Sequence, residues 1–209
     1  MAFCRSGSPV IAGCGTGTGT GGVAMHLLCL GDSLTYGYDV PPEKGWVNLL
    51  SDSLKWEVDN RGLCGDTTWG MLTRLRRLAL SGYDAFFLMG GSNDILEDIP
   101  VRGIQANITA MIRLLQKQHK PVYLGIPPCT RQESADYGWQ AREDVDRHND
   151  ILSDYRIWLL QQCQTEDLHP IDFYTVLQKS PHYADGVHPD ETGYRLLADA
   201  AISAMKLGY

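Results

Sequence analysis

Positive charge is in short supply: 18 Lys and Arg stand against 25 Asp and Glu, a formal net charge of −7. A nucleic-acid binder normally carries a basic stripe or patch, so that class is excluded. No run of 18 or more apolar residues occurs, which excludes a transmembrane helix and stable membrane insertion. Six cysteines are scattered at 4, 14, 29, 64, 129 and 163, without one Cys-x-x-Cys pair. A disulfide scaffold would be dense and a structural zinc site would show close ligand pairs, so neither is expected. Reduced thiols packed as small hydrophobes fit a cytoplasmic protein. A secretory signal is not expected either, because the early apolar run Val10-Ile11-Ala12 is too short for one. The chain also lacks Gly-x-Ser-x-Gly, which argues against an α/β-hydrolase elbow.

What remains is an ordinary globular composition, 44% hydrophobic and 21% charged over 209 residues, enough for one compact domain with a real core. Residues 1–24 stand apart, because positions 13–22 read GCGTGTGTGG and offer almost nothing to bury. Gly17, Gly19 and Gly22 match the outline of a dinucleotide fingerprint. That fingerprint must follow a strand and open a helix, whereas this tract precedes the first strand, and no Gly-Lys-Ser/Thr follows to form a P-loop. The tract reads as a flexible Gly/Thr-rich leader, with the folded domain running over 25–209.

From His26 onward, apolar runs alternate with longer amphipathic stretches, the pattern of a parallel α/β layer fold. The runs predict strands over 26–31, 57–62, 84–90, 121–127 and 168–173. Helical spacing predicts helices over 46–56, 68–80, 100–119, 141–163 and 189–206. The residues with chemical potential fall just after these elements. Ser33 follows the first strand, Gly65 the second and Asn93 the third, while Asp185 and His188 lie between the fifth strand and the last helix. In open parallel sheets, sites form beyond the carboxyl ends of the strands, so these loops are expected to meet on one rim.

A serine hydroxyl is a weak nucleophile and needs an adjacent base, usually a histidine oriented by a carboxylate. Ser33, His188 and Asp185 supply those three types. An acyl-transfer oxyanion also needs donors aimed at the developing charge, which the backbone N–H groups of Ser33 and Gly65 and the Asn93 side-chain amide could provide. Glycine at 65 suits a backbone that must approach the substrate closely. The competing readings are structural: Ser33 as a turn or helix-capping serine, Asn93 as the cap of its turn, Asp185 and His188 as caps before the last helix.

The blocks GDSLTYG (31–37), NRGLCGDT (60–67), GGSND (90–94) and DGVH (185–188) resemble, in order and approximate spacing, the four blocks of the SGNH, or GDSL, hydrolase superfamily. The resemblance covers about 26–206. It implies Ser33 as nucleophile, Asp185 and His188 completing a triad, and Ser33, Gly65 and Asn93 as oxyanion donors. It also implies a flavodoxin-like three-layer α/β/α sandwich with a five-stranded parallel sheet, without metal or cofactor. Within the superfamily the chain most resembles the compact bacterial lysophospholipase/arylesterase/thioesterase branch. The leader is a departure, since the family pattern does not require it.

The expected function is therefore hydrolysis of small-molecule carboxylic esters, thioesters included, with short acyl chains or lysophospholipid-type substrates. A carbohydrate O-acetyl esterase with the same triad is the enzymatic alternative, and a non-catalytic ligand-binding module is the other. Tyr36, Trp69 and Tyr137 are the aromatic candidates for substrate contact. Residues 128–139, the longest irregular stretch, are the candidate specificity loop. Oligomeric state is not legible.

Overall fold

The computed structural model describes residues 25–207. The expectation for residues 1–24 therefore lies outside the described residues. Strand β1 (His26–Gly31), β2 (Glu57–Gly62), β3 (Ala85–Leu88), β4 (Val122–Ile126) and β5 (His169–Asp172) form one parallel sheet in the order β2-β1-β3-β4-β5. The central strands β1, β3 and β4 are almost wholly buried, which is why they read as unbroken apolar runs. The edges differ: β2 is polar apart from Val58 and Gly62, and β5 carries Pro170, which an edge strand tolerates.

Helices cover both faces. On one side lie α3 (Thr68–Leu75), α5 (Val101–Gln116) and α6 (Val145–Thr165); on the other lie α2 (Trp46–Leu54), α7 (Phe173–Lys179) and α8 (Glu191–Leu207). Side-chain alternation along the strands builds a separate core under each layer. Leu28 and Leu30 of β1, with Phe86 and Leu88 of β3, face the α5 side and pack with Ile108, Met111 and Ile112. Leu27, Cys29, Phe87 and Met89 point the other way, against Trp46, Phe173 and Tyr194. The result is the three-layer α/β/α sandwich that the alternation of runs implied. No helix among the described residues is long and apolar enough to cross a membrane.

The structure corrects several element bounds. The α3 helix stops at Leu75 rather than at residue 80, because Arg77 and Leu78 donate to Arg74 and Leu75 in i→i+3 bonds that tighten the turn. The α6 helix starts at Val145 behind a short 3₁₀ turn, Arg142–Asp144. Three short helices were not anticipated: α1 (Ser33–Tyr36), α4 (Ser92–Leu96) and α7. Each begins just beyond the end of a strand. Strand order reverses between β1 and β3, and at such a switch point the neighbouring loops diverge and leave a crevice at the carboxyl ends. The α1 and α4 helices stand on either side of it.

Candidate active site

The turn after β1 is built by Asp32. Its Oδ1 accepts from the Leu34 N–H at 3.0 Å and caps α1, placing Ser33 at the first helical position. Backbone N–H groups of a first turn have no partner within their own helix, so the Ser33 N–H is left for other use. Trp46 fastens this short helix from above, its indole N–H donating to the Leu34 carbonyl at 2.9 Å. From the side α1 rests on β2: a Cβ on Gly62 would lie 2.2 Å from the Tyr36 backbone nitrogen, so only glycine allows that approach.

The second loop turns at Gly65, whose φ of +73° is left-handed; a Cβ there would meet nothing within 4 Å. Arg74 of α3 braces the loop, its Nη2 lying 2.7 Å from Asp66 Oδ2 and donating also to the Gly31 carbonyl at 3.1 Å. The ends of β1 and the loop after β2 are thereby held together. Asn93, on α4, donates through Nδ2 to the Asp66 carbonyl at 3.0 Å, which leaves its second amide hydrogen free of that bond. Asp94 points the other way and caps α3, accepting from the Thr68 N–H and Oγ1 at 2.9 and 2.6 Å.

The last loop is a tight turn around one carboxylate. Asp185 Oδ1 accepts the backbone N–H groups of Val187 and His188 at 2.9 and 2.7 Å. Its Oδ2 accepts from His188 Nδ1 and from the Trp139 indole N–H, both at 2.8 Å. Because a carboxylate only accepts, Nδ1 carries a proton, and in the neutral ring Nε2 is the acceptor. Nε2 lies 2.9 Å from Ser33 Oγ. Burial acts to raise the Asp185 pKa, but the bonds from His188 and Val187 outweigh it and hold the carboxyl below its usual range. Asp32, buried beneath, is pushed up to about 7 by desolvation, which the bond from Leu34 only partly opposes.

These groups open on a cleft of about 290 Å³, lined by Ser33, Gly65, Asn93 and His188 together with Leu96 and Glu97. Its size is at the small end of ligand pockets. Among the described residues, no group of three or more His, Cys, Asp or Glu side chains could hold a metal ion. The three aromatic candidates lie elsewhere. Tyr36 and Trp69 are exposed and do not line the cleft, and Tyr137 borders a separate, polar depression beside Arg131. The cleft's aromatic walls are instead Tyr38, which sequence reasoning missed, and Trp139, the last residue of the candidate specificity loop, which was not singled out within it; the ring centres lie 4.3 and 5.0 Å from that of His188. Both are two residues from a candidate, Tyr36 or Tyr137, and irregular backbone carries no period to say which of two aromatics faces inward. Cys64, beside Gly65, lines the cleft and was likewise not singled out.

The model of the GDSL-like lipase/acylhydrolase family matches residues 29–196. The chain belongs to that family. Membership makes it a carboxylic ester hydrolase of the GDSL, or SGNH, type, acting on small-molecule esters. An arylesterase of Vibrio mimicus is 33% identical over 174 residues, 78% of this chain and 79% of the relative. Esterase TesA of Pseudomonas aeruginosa is 32% identical over 114 residues, half of this chain and 57% of the relative. A solved G-D-S-L family lipolytic protein from Veillonella parvula is 27% identical, with a TM-score of 0.77 over 88% of this chain and 99% of its own. The sandwich is thus the family's fold, and the matched residues span the four loops that meet at the cleft.

Proposed function

We propose that the protein hydrolyses short-chain and aryl carboxylic esters through a Ser33–His188–Asp185 triad and an acyl-enzyme. The observation that carries this reading is the unbroken relay from Ser33 Oγ to His188 Nε2 at 2.9 Å and from His188 Nδ1 to Asp185 Oδ2 at 2.8 Å. His188 takes the Ser33 proton as Oγ attacks the ester carbonyl. The Ser33 and Gly65 N–H groups and the Asn93 amide receive the tetrahedral oxyanion. The carbonyl re-forms, the alcohol leaves with the proton from His188, and the acyl group stays on Ser33. Water, deprotonated by the same ring, then releases the acid. Asp185 keeps the imidazole in the tautomer that accepts at Nε2 and stabilises the imidazolium while it lasts.

The small cleft favours short acyl chains and compact leaving groups over long-chain lysophospholipids, and the arylesterase relative supports aryl leaving groups. The test is labelling with a fluorophosphonate and mass spectrometry of the Ser33 peptide, alongside Ser33→Ala assayed on p-nitrophenyl acetate and butyrate. Labelling confined to Ser33, with activity lost by several powers of ten in the variant, is the expected result. A Ser33→Ala enzyme retaining more than about a tenth of kcat would overturn the assignment. A panel of acetylated sugars and lysophospholipids then ranks substrates; a kcat/KM higher for acetylated sugars than for aryl acetates would make the carbohydrate deacetylase the better reading.

A further inference from the structure

Three of the four donors to the Asp185 carboxylate come from its own turn: the N–H groups of Val187 and His188, and His188 Nδ1. Such bonds shape the turn but cannot fix it against the rest of the molecule. The fourth, the Trp139 indole N–H at 2.8 Å, comes from a segment 46 residues away. Trp139 also sets its ring against the imidazole, 5.0 Å between centres at an interplanar angle of 73°, and edge-on to Tyr38 at 5.9 Å. Tyr38 in turn contacts His188 at 4.3 Å.

The segment that presents Trp139 is itself anchored. Its own N–H donates to the Ser134 carbonyl at 3.0 Å, and the Arg131 N–H donates to the Gly186 carbonyl, inside the Asp185 turn, at 2.7 Å. The next residue, Gln140, donates to Thr130 Oγ1 and Ser134 Oγ at 2.8 and 2.7 Å and accepts from His148 Nδ1 on α6 at 2.6 Å. The 128–140 stretch is therefore a braced arm, and Trp139 is what it holds out.

Building on the triad reading above, we infer that Trp139 is a positioning residue for catalysis, its indole N–H fixing the carboxylate that orients His188. Two effects follow from removing that N–H. The carboxylate loses its only tie to the arm, so the imidazole aims less well at Ser33. Its Oδ2 also bonds to Nδ1 alone, and an undivided acceptor holds the imidazolium more strongly, so protonation blocks the base up to a higher pH. The other charged or titratable groups near the ring are Asp32 beneath it, Tyr38 against it, Cys64 and Glu97 in the same cleft, and Tyr194 of α8 beside Asp32 and Asp185. Trp139→Phe alters none of these groups and keeps a ring against Tyr38.

The test compares Trp139→Phe, which keeps an aromatic wall without the donor, with Trp139→Gln, whose amide nitrogen is as many bonds from Cα as the indole nitrogen. Each folded variant, checked by near-ultraviolet circular dichroism, is followed from pH 5 to 9 on p-nitrophenyl acetate. Trp139→Phe is expected to lower kcat by about 10-fold, the worth of a hydrogen bond to a charged group. It should also move the acid limb of kcat/KM upward by about half a pH unit, for the reason given above. Trp139→Gln is expected to bring that limb back toward wild type even where the lost wall raises KM. An unmoved acid limb in Trp139→Phe, or the same profile in both variants, would overturn the inference and leave Trp139 a wall of the cleft. Ser33→Ala run beside them separates the two failures. An active Ser33→Ala removes the triad reading itself, whereas an inactive one with an unaltered Trp139→Phe removes only the role of the indole.

Discussion

Changing Asp185 to Asn alters one atom of the relay and leaves its shape. The new amide must put its NH2 where one carboxylate oxygen stood. At the Oδ1 position it would face two fixed backbone donors, Val187 and His188 N–H, which lie 2.9 and 2.7 Å from that oxygen. At the Oδ2 position it would face one fixed donor, the Trp139 indole, 2.8 Å from that oxygen, and a ring nitrogen able to change its role. Each buried donor left without an acceptor costs about 1–3 kcal/mol, so the second arrangement wins by roughly that amount. The amide then donates to Nδ1, the ring proton moves to Nε2, and His188 presents Ser33 with a donor where it needs an acceptor. Activity should fall about 10⁴-fold, the size of a wrong-tautomer defect. Stability should fall by only about 1–3 kcal/mol, or about 2–12 °C in Tm for a chain of this size. Steady-state kinetics on p-nitrophenyl acetate and a thermal melt measure the two. Retention of more than about a tenth of kcat would refute the tautomer argument. A collapse of the fold would refute the energy ranking.

Asn93→Ala should lower kcat by about 100- to 1,000-fold with little change in KM, because in the proposed mechanism its amide acts on charge that develops only in the transition state; a pure KM effect would make it a ground-state contact instead. Gly65→Ala should cost about 1–2 kcal/mol, from the left-handed φ of +73° alone, since its Cβ meets nothing. A drop in kcat/KM with it would show that the bare backbone serves the substrate; an unchanged kcat/KM would confine this glycine to the turn. The Asp32 pKa of about 7 stands above its ordinary 3.8, so the folded protein keeps a proton that the unfolded chain releases, and stability falls as pH rises across that window. Asp32→Asn keeps the acceptor for Leu34 and abolishes the titration, so its Tm should drop less than wild type between pH 5 and 8; an equal drop would refute the buried-carboxyl account.

Legibility in the sequence followed length and burial. The predicted bounds of β1 and β2 coincide with those found, and the sheet's parallel order suits the alternation of runs with amphipathic stretches. The α5 helix was visible because Ile104, Ile108, Met111, Ile112 and Leu115 fall on one buried stripe. The α1 and α4 helices, of four and five residues, hold less than two turns and so have no period to detect. Asp185 and His188 were legible together because a three-residue spacing lets one turn hold both. Ser33 lies 155 residues from His188, and what linked them was their residue types, their positions beyond strand ends and the order of the four blocks. The 128–139 loop was legible as a specificity candidate but its inward-facing aromatic was not: Trp139 faces inward because of the braces at Ser134, Gln140 and Arg131, all of them tertiary or irregular bonds.

Four aspartates sit in the four blocks, and residue type does not tell them apart. What separates them is where each carboxylate oxygen finds its donors. Asp66 lies against Arg74 and Asp94 against Thr68, so both are committed to holding loops. Asp32 gives Oδ1 to Leu34, and its Oδ2 has no hydrogen-bond partner among the described residues; burial without enough donors raises its pKa. Asp185 is buried as well, yet four donors reach it and its pKa moves the other way. In the proposed mechanism this anion faces an imidazolium during turnover and has to remain ionised while shielded from water, and a full set of donors is the physical means. Trp139 completes that set from outside the turn. The block carrying the histidine thus needs a fifth segment, the 128–140 arm, which no short motif contains.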